Sequence, residues 1–259
     1  MDLLLLGLAI LPVIVLMIYI YRQDKYQKEP VKLLIRAFIG GILAIPLDFL
    51  VVDIINSIYY SGTAFYSAFF EAGLPEELCK FAFLFLLIWR RKEFDEYMDG
   101  IVYAVFVGLG FACVENILYV FNYGIQTGIV RAVLSVPGHF LFAVIMGYFF
   151  SLAKFDKKNR AKNLLLSIVC AALAHGLFDW LLMIQEFLTP SIATAIYVVF
   201  IWGDIKLWKL GLKFIKKQQQ LTQNQAIPTD DEYAEAEILV TENEDPEYKH
   251  IDWHAGEKD

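Results

Sequence analysis

Glu76, Glu77, Glu115, His139, His175 and Asp179 lie inside long apolar runs of a 259-residue chain. A charge at the centre of a bilayer costs about 2.5–3.5 kcal/mol on insertion scales. Six such groups in four separate runs point to one buried polar site with a chemical role. Lys80 follows Glu76 by four residues, on the same helical face, and can pair with it. Two adjacent carboxylates in a low dielectric suit general acid/base work, one holding a proton while the other serves as the base. His175 and Asp179 share the same i, i+4 spacing, so the carboxylate can orient the imidazole and fix its tautomer. His139 follows Pro137-Gly138, and Asn116, beside Glu115, can hydrogen-bond between helices. Cys79 and Cys113 neighbour these residues but have no base at helical spacing. With Cys170, they read as small apolar filler rather than a disulfide framework. Two histidines with carboxylates could bind Zn²⁺, although there is no His-Glu-x-x-His helix. The reading commits to no cofactor; zinc is the possible one, with His139, His175, Glu76 and Glu77 as its ligands.

The elements that position these groups are membrane helices. The chain is 58% apolar, too much for an ordinary soluble domain of this length. Hydropathy predicts an all-α bundle of seven spans, at about 3–21, 33–53, 62–89, 99–121, 132–152, 163–184 and 190–212, each near or above the ~20 residues of a crossing. The first lacks a basic leader and a small-residue cleavage site and reads as a retained helix. Lys and Arg crowd the first loop (Arg22, Lys25, Lys28, Lys32, Arg36), the third (Arg90, Arg91, Lys92), the fifth (Lys154 to Lys162) and the stretch after span seven. The second and sixth loops have none, and the fourth has only Arg131. The positive-inside rule then puts the N-terminus outside and the C-terminus in the cytoplasm. Residues 1–217 carry 20 Lys/Arg against 17 Asp/Glu, and 218–259 carry 2 against 12. The chain therefore reads as a membrane domain, 1–217, with an acidic, disordered cytoplasmic tail, 218–259. Nothing basic enough for nucleic acid is present.

At ~1.5 Å per residue, Glu115, His139, His175 and Asp179 lie within about 15 Å of the outer ends of their spans, and Glu76 and Glu77 near the middle of span three. One shared layer is what a single site requires. In span three, Gly73-Leu-Pro75 predicts a break, with Glu76 and Glu77 in the first turn of the restarted helix. In span four, Gly108 and Gly110 permit close helix approach.

Glu76-Glu-x-x-Lys80, Glu115-Asn116, His139 and His175-x-x-x-Asp179, in that order on successive helices, resemble the PrsW family of bacterial intramembrane proteases. Tyr26-Gln-Lys-Glu-Pro30, Asp99-Gly-Ile-Val-Tyr103 and Gly108-x-Gly-Phe-Ala-x-x-Glu-Asn-Ile-Leu-Tyr119 agree. The resemblance covers roughly 20–216. A more distant likeness is to the prenyl-protein (CAAX) endopeptidases and bacteriocin-immunity membrane proteins, whose paired Glu motif is followed by an Arg one residue later than Lys80. The family resemblance implies a multi-pass protein of the bacterial plasma membrane that cuts a single-pass membrane protein, an anti-sigma factor, on its extracytoplasmic side. That cut starts the cascade that releases a sigma factor. It implies Glu76, Glu77, His139 and His175 as catalytic groups, with Lys80, Glu115, Asn116 and Asp179 supporting them. Two other classes stand as alternatives: a proton-coupled transporter, which would favour internal repeats that the halves do not show, and a seven-helix sensor or receptor.

Overall fold

The computed structural model describes residues 2–225 and is helical, with no strand among them. Its helices are α1 (Asp2–Gln23), α2 (Val31–Ile58), the single turn α3 (Ala64–Tyr66), a π-helix (Ser67–Gly73), α4 (Leu74–Ile88), α5 (Tyr97–Tyr123), α6 (Ile125–Val133), α7 (Ser135–Phe155), α8 (Arg160–Met183) and α9 (Pro190–Gln225). Six helical segments are long and apolar enough to cross a membrane. The segment 64–88, divided by its π-helical stretch, stands where the remaining predicted span was expected. The predicted polytopic helical bundle is therefore the observed fold.

Helix α5 is the central pole. It packs most extensively against α7 on one side and α2 on the other, and Tyr103, Phe111 and most of the residues between them are buried. Its start is fixed by a capping box in which Glu96 N–H donates to Asp99 Oδ2 (2.7 Å) while the Glu96 side chain accepts from the Asp99 backbone. Gly108 lets α7 approach, since a Cβ there would lie 2.7 Å from Ala143 Cβ. The outer helices α1, α2 and α9 turn Leu11, Ile39, Leu43, Val198 and Trp202 outward, the surface a hydrocarbon solvent favours.

Three local features differ from the sequence reading. The backbone does not break at Gly73-Leu-Pro75. It stays helical, and the missing Pro75 N–H is accommodated by a change of register, with Leu74 N–H reaching back to Phe69. The fourth loop is not a simple loop: Gly124, at φ +84°, turns the chain sharply out of α5 into the short helix α6, whose last turn carries Arg131. Helix α9 continues to Gln225, so the stretch expected to begin the tail at 218 is helical at first. There Gln218 Nε2 donates to Tyr148 O (2.9 Å) and Thr222 Oγ1 accepts from Met98 N (3.0 Å). The rest of the expected tail lies outside the described residues.

The π-helix meets α8 at backbone contact. A Cβ on Gly73 would lie 2.7 Å from Gly176 N and 2.9 Å from Ala172 O, and one on Gly176 would enter the Phe69 ring. Backbone cannot swing aside as a side chain can. Gly73→Ala is therefore expected to cost about 1–3 kcal/mol, measured as a fall in thermal unfolding temperature in detergent. Gly7→Ala, whose Cβ would meet nothing within 4 Å, should leave that temperature unchanged.

Candidate active site

The Gly73–Gly176 contact sits one turn before Glu76 and Glu77 and next to His175, so it sets the distance between α4 and α8 at the chemistry. Glu76 and Glu77 occupy the first turn of α4. Because the helix runs on through Gly73 and Leu74, the side-chain partner they meet is Lys80, one turn further along. Lys80 Nζ donates to Glu76 Oε2 (2.9 Å) and Glu77 Oε1 (2.8 Å) and lies 3.2 Å from His139 Nδ1. It also lies over the Phe111 ring, 4.1 Å from the centroid. Lys80 is 2% exposed, so the ammonium is a true interior ion.

The two histidines are held from opposite sides. His139, on α7, has Nε2 2.7 Å from Glu115 Oε2. A carboxylate only accepts and an ammonium only donates, so the partners of His139 place its hydrogen on Nε2 and aim the Nδ1 lone pair at the cluster. His175, on α8, has Nδ1 2.9 Å from Glu77 Oε1 and Nε2 3.3 Å from Asp179 Oδ2. Phe142 stacks on its ring at 4.6 Å, and the two imidazoles are 5.1 Å apart. Seven of the eight residues singled out in the sequence thus form one network: Glu76, Glu77, Lys80, Glu115, His139, His175 and Asp179. Asn116 faces away from it. It donates to Ala9 O on α1 (2.9 Å) and accepts from Arg131 Nε (3.0 Å), touching the site only through Arg131.

Two residues were missed by sequence reasoning. Arg131 Nη2 lies 2.9 Å from Glu115 Oε2, and its guanidinium lies over the Tyr119 ring. Read as a lone loop charge, it carried no sign of being returned by α6. Asp48, buried on α2 with Oδ1 unpartnered, interrupts an apolar run just as Glu115 does, and that signal was available. Asp48 lines a cavity of about 290 Å³ with Glu71, Glu76, Glu115 and Tyr119. A second cavity, of about 190 Å³, is lined by Arg131, His139, His175 and Asp179, again with Glu115 and Tyr119. These last two residues are common to both.

One atom each from Glu76, Glu77, His139 and His175 lie within 4.8 Å of one another. Two imidazoles with two carboxylates are a zinc donor set. The Glu77 Oε2 atom has no hydrogen-bond partner, and Glu115 behind His139 is the outer carboxylate that metal-binding histidines use. The residues therefore fit such an ion in kind. The Lys80 ammonium, however, bonds to three of the same four groups, so it and a metal compete for them.

A model described as the PrsW family of intramembrane metalloproteases matches residues 29–203. Among curated relatives named Protease PrsW, that of Geobacillus kaustophilus is 36% identical over 86% of this chain and 96% of its own length. That of Clostridioides difficile is 38% identical over 81% and 89%, and that of Bacillus subtilis 36% identical over 84% and 96%. No solved structure matches. With the family matched over most of the chain and the paired-glutamate and histidine motifs gathered at one place inside a helical membrane bundle, this protein belongs to the PrsW family of intramembrane proteases of bacteria.

Proposed function

We propose that the chain is a site-1 protease that hydrolyses a peptide bond of a single-pass membrane protein, an anti-sigma factor, near the extracytoplasmic side, with water activated by the glutamate and histidine cluster. The observation that carries the reading is the convergence of Glu76, Glu77, His139 and His175 around one buried ammonium, flanked by two polar cavities. The anti-sigma substrate rests on the family resemblance, and the outward side on the Lys/Arg alternation.

Glu76 is the better-placed base. It lines the larger cavity, whereas the Glu77 carboxylate is 1% exposed and engaged with Lys80 and His175. Glu76 takes a proton from water and the water oxygen attacks the scissile carbonyl carbon. Lys80 and His175 supply the cationic N–H groups near which negative charge develops on the carbonyl oxygen, and His139, through its Nδ1 lone pair, holds the Lys80 ammonium in place. As the C–N bond breaks, the proton held on Glu76 passes to the leaving amine. Glu77 and Asp179 hold His175 from its two sides, and Glu115 holds His139. The paired cavities give an extended segment a path past Glu115 and Tyr119. A zinc ion would be held by His139, His175, Glu76 and Glu77, and when bound it would acidify water and polarise the carbonyl.

The test is cleavage of a tagged single-pass anti-sigma factor by purified protein in liposomes. Glu76→Gln is expected to lower the rate by about 10²–10⁴-fold, and Glu77→Gln and His175→Ala to lower it comparably. Cleavage that persists in all three variants would sink the reading. A polar solute moved across the bilayer without cleavage would favour a transporter instead. Competition for the cluster has a separate readout: Lys80→Met should retain zinc at least tenfold more tightly than the wild type, measured by metal analysis after dialysis against a graded chelator. Equal retention would show that Lys80 does not guard these ligands.

A further inference from the structure

A second group of buried carboxylates lies at the opposite, Lys/Arg-rich end of the bundle, about 24 Å along α5 from Glu115. It joins two sequence motifs that the peptidase cluster leaves unused. Glu29, of Tyr26-Gln-Lys-Glu-Pro30, accepts the Tyr103 hydroxyl hydrogen, Tyr103 closing Asp99-Gly-Ile-Val-Tyr103. Asp24 and Asp99 are fully buried, and Glu29 is 4% exposed. One oxygen each from Asp24, Glu96 and Asp99 lie within 4.8 Å of one another.

What separates this group from an ordinary cluster of acids is that it has fewer donors than buried carboxylate oxygens and no side-chain cation hydrogen-bonded to them. Asp99 Oδ2 accepts from the backbone N–H of Asp95 (3.0 Å) and Glu96 (2.7 Å), leaving Oδ1 unpartnered. Glu96 Oε2 is unpartnered too, and neither oxygen of Asp24 receives a well-formed hydrogen bond. The adjacent ammonium does not fill the gap: Lys28 Nζ is directed to the backbone carbonyls of Tyr21 (2.6 Å) and Asp24. Lys154, on α7, gives its ammonium to Trp89 O (2.8 Å). Burial, reinforced by Asp99, pushes the Glu29 carboxyl up to about 11. Burial also raises Asp24, against the pull of Lys28 and the Glu29 N–H, and Glu96. The protonated Glu29 carboxyl shares a hydrogen bond with Asp99, while the remaining carboxylates need either protons or a cation; Asp24, Glu96 and Asp99 each keep an unpartnered oxygen and converge closely enough to share an ion.

We propose that Asp24, Glu96 and Asp99 form a second cation site, for a hard divalent ion of the Mg²⁺/Ca²⁺ class, that staples the α1–α2 connection to the start of α5. All-oxygen ligation suits that class and not zinc. The site is independent of the peptidase reading, because none of its residues belongs to the Glu/His cluster.

The experiment is a Mn²⁺ titration of the full chain in nanodiscs after chelator treatment, with free Mn²⁺ read by electron paramagnetic resonance. A Glu77→Gln/His175→Ala variant removes the other metal-capable cluster. It should still bind one Mn²⁺, displaced by Mg²⁺, and Asp24→Asn added to it should weaken that binding at least tenfold. Because the Asp24 side chain receives no well-formed hydrogen bond, its loss should leave the fold intact. The unfolding temperature of the wild type should rise with Mg²⁺ and that of Asp24→Asn should not. Absence of Mn²⁺ binding in the Glu77→Gln/His175→Ala background, or binding unchanged by Asp24→Asn, overturns the proposal. So does an Asp24→Asn protein that is more stable than wild type and equally indifferent to Mg²⁺, which would mean that protons satisfy the cluster.

Discussion

The Lys80 ammonium contacts Glu76, Glu77 and His139 at 2.8–3.2 Å from inside a bilayer-length bundle, and the rest of the architecture follows from keeping it there. An unpaired interior ion costs several kcal/mol, and removing one partner of a buried pair leaves the other uncompensated. Helices α4, α7 and α8 therefore cannot slide independently. Glu77 ties Lys80 to His175, and His139 ties it to Glu115 and hence to α5. This coupling makes the small residues necessary: Gly73 against Gly176 brings α4 to α8, and Gly108 brings α5 to α7. A bulkier residue at either crossing would stretch a charged hydrogen bond between buried groups.

Much of this was legible in the sequence because membranes penalise charge so strongly. Each carboxylate or imidazole in an apolar run announces itself, and the helical period places Lys80 with Glu76 and Asp179 with His175. What was not legible depends on how helices turn about their own axes and on connections. Asn116, next to Glu115 in sequence, points about 100° away from it on the helix and serves α1. Arg131 reaches Glu115 only because Gly124 adopts a left-handed backbone and α6 folds back, a path no periodicity reports. Proline predicted a break at 73–75, but a helix inside a membrane must satisfy its own backbone, and shifting to π register does so at less cost than opening the chain.

The acids of the Glu/His cluster outnumber its cations. Glu76, Glu77, Glu115, Asp48 and Asp179 face Lys80 and Arg131, and two of them keep unpartnered buried oxygens, Asp48 Oδ1 and Glu77 Oε2. A purely structural network would close such gaps, since half-satisfied polar networks are worse than apolar packing. Open acceptors beside two cavities are instead what a site needs if it must receive a water, a proton or an ion during its work. Glu115 and Tyr119 line both cavities.

The two ends of α5 solve the same electrostatic problem differently. At the Glu115 end, buried carboxylates are met by side-chain cations delivered by α4 and α6. At the start of α5, Asp99 and Glu96 accept from backbone N–H groups and Glu29 from the Tyr103 hydroxyl, Asp24 is left without a well-formed partner, and Lys28 and Lys154 are directed to carbonyls. The sequence had already set the two motifs of that end beside the Glu/His motifs as part of the same family signature, though they lie more than a dozen residues away along the helix. One of the two motifs begins the helix that carries Glu115, and the other meets it there through the Tyr103–Glu29 hydrogen bond. The helix carrying Glu115 is thus tied at its start to the connection between α1 and α2 by the Tyr103–Glu29 hydrogen bond, and at its other end to α7 by the Glu115–His139 contact.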